Sequence, residues 1–148
     1  MIKNERQYHL TVSHVERFER TLDRLRGRST AEDENERALN RLEEEALSSQ
    51  LHDLRREVQQ YDTLNSGAAI AIAADSLREL PRVLIQARIA RGLSQRGLAE
   101  RLGVKEQQIQ RYEATDYAGA NLGRVAEVAE ALGVEVRESV TTPGRGVP

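Results

Sequence analysis

Residues 93–113 read LSQRGLAERLGVKEQQIQRYE, the pattern of two short helices joined by a tight turn. Ser94 can cap the first helix, because its hydroxyl can accept a hydrogen bond from the backbone N–H groups of the first turn. Gly103 suits the left-handed residue that commonly follows the end of a helix. A second helix is then predicted over residues 105–113.

The second helix has one apolar side and one polar side. Ile109 and Tyr112 are three residues apart and are predicted to point inward, toward Leu98 and Ala99 of the first helix. The outward side chains are long and polar, and glutamine, arginine and lysine are the residues that bind base edges in the major groove. The pattern indicates a helix-turn-helix unit, and the alternative is a pair of surface helices with a solvated glutamine-rich face. The predicted outward residues are Lys105, Glu106, Gln107, Gln110 and Arg111, and the predicted DNA-binding set on this helix also includes Gln108.

The distribution of charge along the chain favours a helix-turn-helix unit over a pair of surface helices. The whole chain has a net charge of −2, which by itself argues against a nucleic-acid partner. Residues 81–114, however, carry seven basic and three acidic side chains, whereas residues 1–64 carry 11 basic and 14 acidic ones. The basic excess therefore coincides with the segment that the helical pattern selects.

Residues 80–136, a little over a third of the chain, resemble the Xre/lambda-repressor-like family of helix-turn-helix domains. The resemblance extends to LIQARIARG before the two helices and LGRVAEVAEALGVEV after them. It implies that Gln95 bonds a DNA phosphate and that Arg88 pairs with Glu113, which would lock the second helix onto the scaffold. It also implies that bases are read by Lys105, Glu106, Gln107 and Arg111, with Gln110 near the DNA backbone.

The composition predicts an all-α, cytoplasmic protein. Aromatic residues make up only 3% of the chain, so the core must be aliphatic. The absence of cysteine excludes disulfides and thiolate metal sites, and no apolar run approaches the roughly 18 residues of a membrane span. His9, His14 and His52 do not match a ligand spacing, and no phosphate loop or nucleophile elbow is present. We therefore expect no metal, no cofactor and no enzymatic activity.

The amino-terminal half is predicted to form two helices. The first would begin at Thr11 or Ser13 and end at Arg26; the second would begin at Ser29 or Thr30 and continue to Leu64. Because the first helix would span about 15 residues and the second about 35, the first is too short to cover the second. We therefore expect a hairpin that also dimerises as a coiled coil; the alternative is a hairpin packed only on its own chain. The heptad-spaced stripe comprises Leu47, Leu51, Leu54, Val58 and Tyr61.

Four segments follow from these patterns. Residues 1–64 would be a helical dimerisation or partner-binding region, residues 65–79 a connector containing a short alanine-rich helix, and residues 80–140 the helix-turn-helix domain. That domain would include a fourth helix capped by Asn121 and a short carboxyl-terminal strand over residues 134–140. Residues 141–148, rich in proline and glycine, would be a flexible tail.

We therefore expect a dimeric repressor that binds an inverted-repeat operator in double-stranded DNA, with recognition helices about 34 Å apart. The chain also resembles HigA-type antitoxins in size and in its carboxyl-terminal half. That resemblance implies that the amino-terminal helices bind a toxin protein. The alternatives are a stand-alone or phage-type repressor without a toxin, and a helical scaffold or adaptor that does not bind DNA.

Overall fold

The computed structural model describes residues 1–28, 33–68 and 71–137, together with residues 139, 141, 142 and 144. Over these residues the fold is all-helical, as predicted. No helix in the described ranges is both long and apolar enough to cross a bilayer. The helices are α1 (Glu5–Gly27), α2 (Glu34–Asn65), α3 (Leu80–Ala90), α4 (Gln95–Leu102), α5 (Glu106–Ala114) and α6 (Leu122–Ala131), with a 3-10 turn at Leu77–Glu79 before α3.

Helix α1 begins earlier than predicted. The prediction of a start at Thr11 or Ser13 was wrong, because Asn4 caps the helix: its side-chain oxygen accepts a hydrogen bond from the backbone N–H of Gln7, at 2.9 Å. The Gln7 side chain in turn accepts a hydrogen bond from the backbone N–H of Lys3. The first bond satisfies a backbone donor that the first turn of a helix leaves unpaired, and the second holds the residue before the cap.

Helices α1 and α2 form an antiparallel hairpin. Two ion pairs between them, Arg26 with Glu44 and Arg55 with Glu19, define the opposite directions of the two chains. The described part of α2 begins at Glu34, with Asp33 as its cap. The start predicted at Ser29 or Thr30 lies outside the described residues.

The heptad-spaced stripe of α2 is covered by α1 of the same chain. Leu51 and Tyr61 keep only 3% and 7% of their surface exposed, and Leu47, Leu54 and Val58 on the same face are half-buried. The prediction that this stripe is left over for dimerisation is therefore wrong for Leu51 and Tyr61. The reason is the length of α1, which has 23 residues instead of the expected 15 or so and reaches along most of α2.

The alanine-rich connector is not the predicted helix. Residues 67–68 and 71–74 have no regular structure, and residues 69 and 70 lie outside the described part. Ile72 packs against the core while Ala73 and Ala74 stay exposed. Because a helix this short is marginal without a buried face, one apolar anchor in an irregular segment replaces it.

Helices α3 to α6 enclose an aliphatic core whose fully buried side chains include Leu84, Ile85, Leu98, Ile109, Val128 and Leu132. Three residues from the amino-terminal half, Ile2, Tyr61 and Leu64, belong to the same core. The base of the hairpin is thus packed onto the carboxyl-terminal helices.

The segment after α6 also differs from the prediction. The cap of α6 by Asn121 is confirmed, with its side chain accepting from the backbone N–H of Arg124 at 2.8 Å. The strand predicted over residues 134–140 is absent from residues 134–137 and 139, since no neighbouring strand among the described residues offers it a partner. Residues 138 and 140, and residues 143 and 145–148 of the predicted tail, lie outside the described part.

The packing of the hairpin predicts that alanine substitution at two leucines of α2 lowers the free energy of unfolding by different amounts. Leu51→Ala should lower the free energy of unfolding by about 2–5 kcal/mol, because it leaves a cavity between α1 and α2. Leu42→Ala should change it by less than about 0.5 kcal/mol, since Leu42 is 64% exposed. Urea denaturation followed by circular dichroism measures both, and equal losses would contradict the packing described.

Candidate nucleic-acid interface

Helices α4 and α5 form the predicted two-helix unit. The hydroxyl of Ser94 accepts a hydrogen bond from the backbone N–H of Gly97 at 3.0 Å, which confirms the predicted cap. Gly103 adopts a left-handed conformation with φ of 66°, as the turn requires. Leu98 and Ile109 are fully buried where the two helices meet. The unit is therefore anchored by its apolar side.

The other side of α5 is open to solvent. Its exposed residues are Lys105, Glu106, Gln107, Gln110 and Arg111. Gln110 donates a hydrogen bond to Glu106 at 3.1 Å, one turn away. In the part of the chain that the structure describes, the side chains of Gln107 and Arg111 make no hydrogen bond or ion pair. These two are four residues apart, so they project from the same face and can both meet an outside surface.

Gln108 does not belong to this open face. It is half-buried, and its side-chain nitrogen donates to the hydroxyl of Tyr112 at 2.9 Å. The sequence placed it in the DNA-contact set because glutamine suits that role. Its position four residues before Tyr112 places the two side chains on the same face of the helix, and this turns Gln108 toward the protein.

Gln95 is buried as well, with 8% of its surface exposed. Its side-chain nitrogen donates to Glu113 at 2.8 Å, and its oxygen accepts a long hydrogen bond from Asn4 at 3.5 Å. The resemblance implied a phosphate contact for this residue. In the structure one of the two amide N–H groups of Gln95 binds a carboxylate inside the protein, so Gln95 is part of the scaffold.

Arg88 and Glu113 form an ion pair in the interior, with 3% and 0% of their side-chain surfaces exposed. The guanidinium binds both carboxylate oxygens, and its Nη2 nitrogen lies 2.8 Å from Oε2. Its other hydrogen bonds go to the carbonyl oxygens of Leu93 and Lys3. Charge, bidentate geometry and the four hydrogen bonds of the guanidinium together compensate the desolvation of the pair. The pair joins α3 to the end of α5.

The amino-terminal residues complete this arrangement, although no role was predicted for them. The ammonium group of Lys3 donates to the carbonyl oxygen of Glu113 at 2.7 Å and to the Asp116 carboxylate at 2.8 Å. Ile2 is buried in the core. The helix start predicted at Thr11 or Ser13 left the first ten residues without a predicted structure. The one available signal was the pattern of Asn4 followed three residues later by Gln7, which is typical of a capped helix start.

The turn after α5 is packed closely. Tyr117 is buried, stacks on Tyr112 with ring centroids 5.8 Å apart, and has a left-handed backbone with φ of 59°. Its hydroxyl has no hydrogen-bond partner among the described residues. Burial raises the pKa of this hydroxyl, and the nearby Glu113 carboxylate raises it further. The phenol therefore stays neutral and fills space beneath α5.

Comparison with known proteins supports the assignment of this region. A family model described as helix-turn-helix matches residues 84–139. Neither the curated proteins nor the solved structures contain a significant match to the chain. The match includes α4 and α5 and excludes the hairpin and the amino-terminal residues that bind Arg88 and Glu113.

The buried ion pair predicts that a substitution away from the exposed face of α5 lowers the stability of the fold. Arg88→Ala should lower the free energy of unfolding by about 3–5 kcal/mol, because Glu113 would remain buried without its cation. Arg96→Ala is the matched control: Arg96 pairs with Glu100 on the surface of α4, so its loss should cost less than about 1 kcal/mol. Thermal and urea unfolding would check both values, and a similar small loss for Arg88→Ala would refute the structural role.

Proposed function

Residues 84–139 form a helix-turn-helix domain of the Xre/lambda-repressor-like family, and we propose that the chain is a sequence-specific regulator of transcription. In this proposal the protein is cytoplasmic and inserts α5 into the major groove of DNA. The observation that carries the proposal is the contrast between the two sides of α5. Its inner side is held by the Arg88–Glu113 pair, and its outer side presents Gln107 and Arg111 without partners in the described chain. A rigid helix with uncommitted polar side chains is what base recognition needs.

The proposed roles follow from side-chain chemistry. The amide of Gln107 can bind the N6 and N7 edge of adenine in two places, and the guanidinium of Arg111 can bind O6 and N7 of guanine. Lys105 and Glu106 flank these residues at the start of the helix, where they can contact neighbouring bases or phosphates. Gln110, already bonded to Glu106, would lie beside the DNA backbone.

Two copies would occupy an inverted repeat and repress by covering a promoter. A pair of symmetric half-sites is the usual arrangement for helix-turn-helix proteins. The contact between the copies would have to use surfaces other than the stripe containing Leu51 and Tyr61, since these are buried in the single chain. Repression is proposed because a dimer that covers a promoter blocks transcription by occupancy alone.

Selection from random duplexes followed by sequencing tests the proposal directly. A half-site with its mirror image at a defined spacing is the expected result. Mobility shifts of the selected duplex at two salt concentrations would then separate specific from general binding, since phosphate contacts weaken steeply with salt. If no sequence were enriched and no selective shift appeared, the proposal would fail and a scaffold function would be favoured.

The proposed recognition face predicts a loss of specificity without a loss of folding. Gln107→Ala or Arg111→Ala should weaken binding to the selected duplex by about 1–3 kcal/mol and relax the preference at one base position. Gln108→Ala should have a smaller effect, because Gln108 faces Tyr112. Anisotropy titrations with matched and single-base-changed duplexes measure this. An unchanged preference for Arg111→Ala would exclude the proposed orientation of α5.

We further propose that the hairpin binds a toxin protein, so that the chain acts as an antitoxin. Support comes from a second apolar face on α2. Leu39 and Leu42 are 57% and 64% exposed, and with exposed Ala46 they lie about a third of a turn from the stripe that faces α1. The patch is bordered by Glu36, Glu43 and Glu45 on the same helix. An apolar centre with an acidic border suits a basic protein, as an RNA-cleaving toxin would be.

The antitoxin role predicts that these leucines affect partner binding alone. Leu39→Asp with Leu42→Asp should abolish co-purification of a basic partner encoded beside this gene, while binding of the selected duplex by the free chain stays within twofold. Leu77→Asp is the control, because Leu77 is 56% exposed but lies outside the hairpin. If no neighbouring product binds the full chain, the alternative of a stand-alone or phage-type repressor replaces the antitoxin.

A further inference from the structure

A cleft of about 640 Å³ separates the start of α1 from the recognition helix. One wall carries Arg6 and Leu10 of α1, and the opposite wall carries Glu106 and Gln110 of α5. Ser94 and Gln95, at the start of α4, also line it. On this side, therefore, the exposed face of α5 borders a cleft whose other wall is α1.

Helix α1 is fastened in this position by its first residues. Asn4 caps α1 and also donates to Gln95, so one side chain ties α1 to α4. Lys3 binds the carbonyl oxygen of Glu113, and Ile2 is buried in the shared core. The start of α1, which forms this wall, is thus held by contacts to Gln95 and Glu113, and these residues also support α5.

Arg6 is the available cation at this site. It is exposed, and it forms no ion pair or hydrogen bond with the described residues. Two other cations line the cleft, but Lys3 is paired with Asp116 and Arg88 with Glu113. The carboxylates of Glu5 and Glu106 also line it. The site therefore favours a single charged contact at Arg6 and not a general cationic groove.

We infer that the amino-terminal residues form a second part of the DNA-binding site, outside the helix-turn-helix segment. Arg6 contacts a phosphate of the strand that passes the start of α4, and Lys3 and Asn4 are positioning residues that hold Gln95 and the end of α5. This inference rests on the proposed DNA-binding function. The physical basis is that the amino-terminal end of α4, which favours anions, opens into the same cleft as Arg6, so a phosphate bound there can also be neutralised by the Arg6 guanidinium.

The test compares two exposed arginines of α1 in the full-length chain. Arg6→Ala should weaken binding to the selected duplex about three- to tenfold and reduce the steepness of log K against log salt by about 0.9, the value for one phosphate contact. It should weaken binding to an unrelated duplex equally, because phosphates carry no sequence information. Arg20→Ala is the matched control, since Arg20 is exposed on α1 about 21 Å farther along the helix. The inference is overturned if Arg6→Ala matches Arg20→Ala or binds more tightly than the unmodified chain.

A second pair of variants separates positioning from direct contact. Lys3→Ala should weaken specific binding without changing the salt dependence, because the Lys3 ammonium is bound to protein oxygens. Lys3→Arg should restore most of the affinity. A reduced salt dependence for Lys3→Ala would overturn the positioning role and make Lys3 a phosphate contact.

The failures of the two proposals are distinguishable. If the unmodified chain selects no duplex, the proposed function fails and this inference fails with it. If the chain selects a duplex and Arg111→Ala weakens it, but Arg6→Ala does not, only the role of the amino-terminal residues is refuted.

Discussion

The ion pair between Arg88 and Glu113 is the interaction on which the arrangement of the carboxyl-terminal helices depends. A buried pair of this kind is costly to desolvate and is stable only when every donor and acceptor finds a partner. Here the donors of Arg88 reach Glu113, Leu93 and Lys3, and the carboxylate also accepts from Gln95. Four separate parts of the chain therefore meet at one charged group, and none can move independently of the others.

This constraint explains why the outer face of α5 can be left without partners. A helix of nine residues has little stability of its own, so its orientation must come from contacts on its inner side. Ile109 and Glu113 provide those contacts, one apolar and one ionic. Gln107 and Arg111 then need no internal partner, because the helix positions from which they project are set by the contacts on the inner side.

The hairpin obeys a different constraint, which is the matching of lengths. Helix α1, at about 1.5 Å per residue, extends about 35 Å, whereas α2 extends about 48 Å. The stripe that includes Leu51 is covered over the shared length. Arg26, at the end of α1, pairs with Glu44, so Leu39 and Leu42 lie in the part of α2 that extends beyond α1. The exposed patch is thus a consequence of the unequal lengths of the two helices.

The sequence by itself determined the features that depend on near neighbours. The caps by Ser94 and Asn121, the left-handed Gly103 and the inward positions of Leu98 and Ile109 all follow from spacings of a few residues, and all are confirmed. The family pattern also anticipated the partnership of Arg88 and Glu113. These features could be predicted because, in a helix, the spacing between two residues determines the relative directions of their side chains.

Only the tertiary structure decided which of these side chains remain available. Gln95 and Gln108 have the same chemistry as Gln107, yet the first bonds to Glu113 and the second to Tyr112. Lys3, 110 residues from Glu113, reaches it through a fold that no local pattern specifies. The prediction that the stripe containing Leu51 is free for dimerisation was wrong for the same reason. The stripe is buried by α1, which is longer than predicted. Partnership between distant residues depends on how helices pack, and packing is a property of the whole chain.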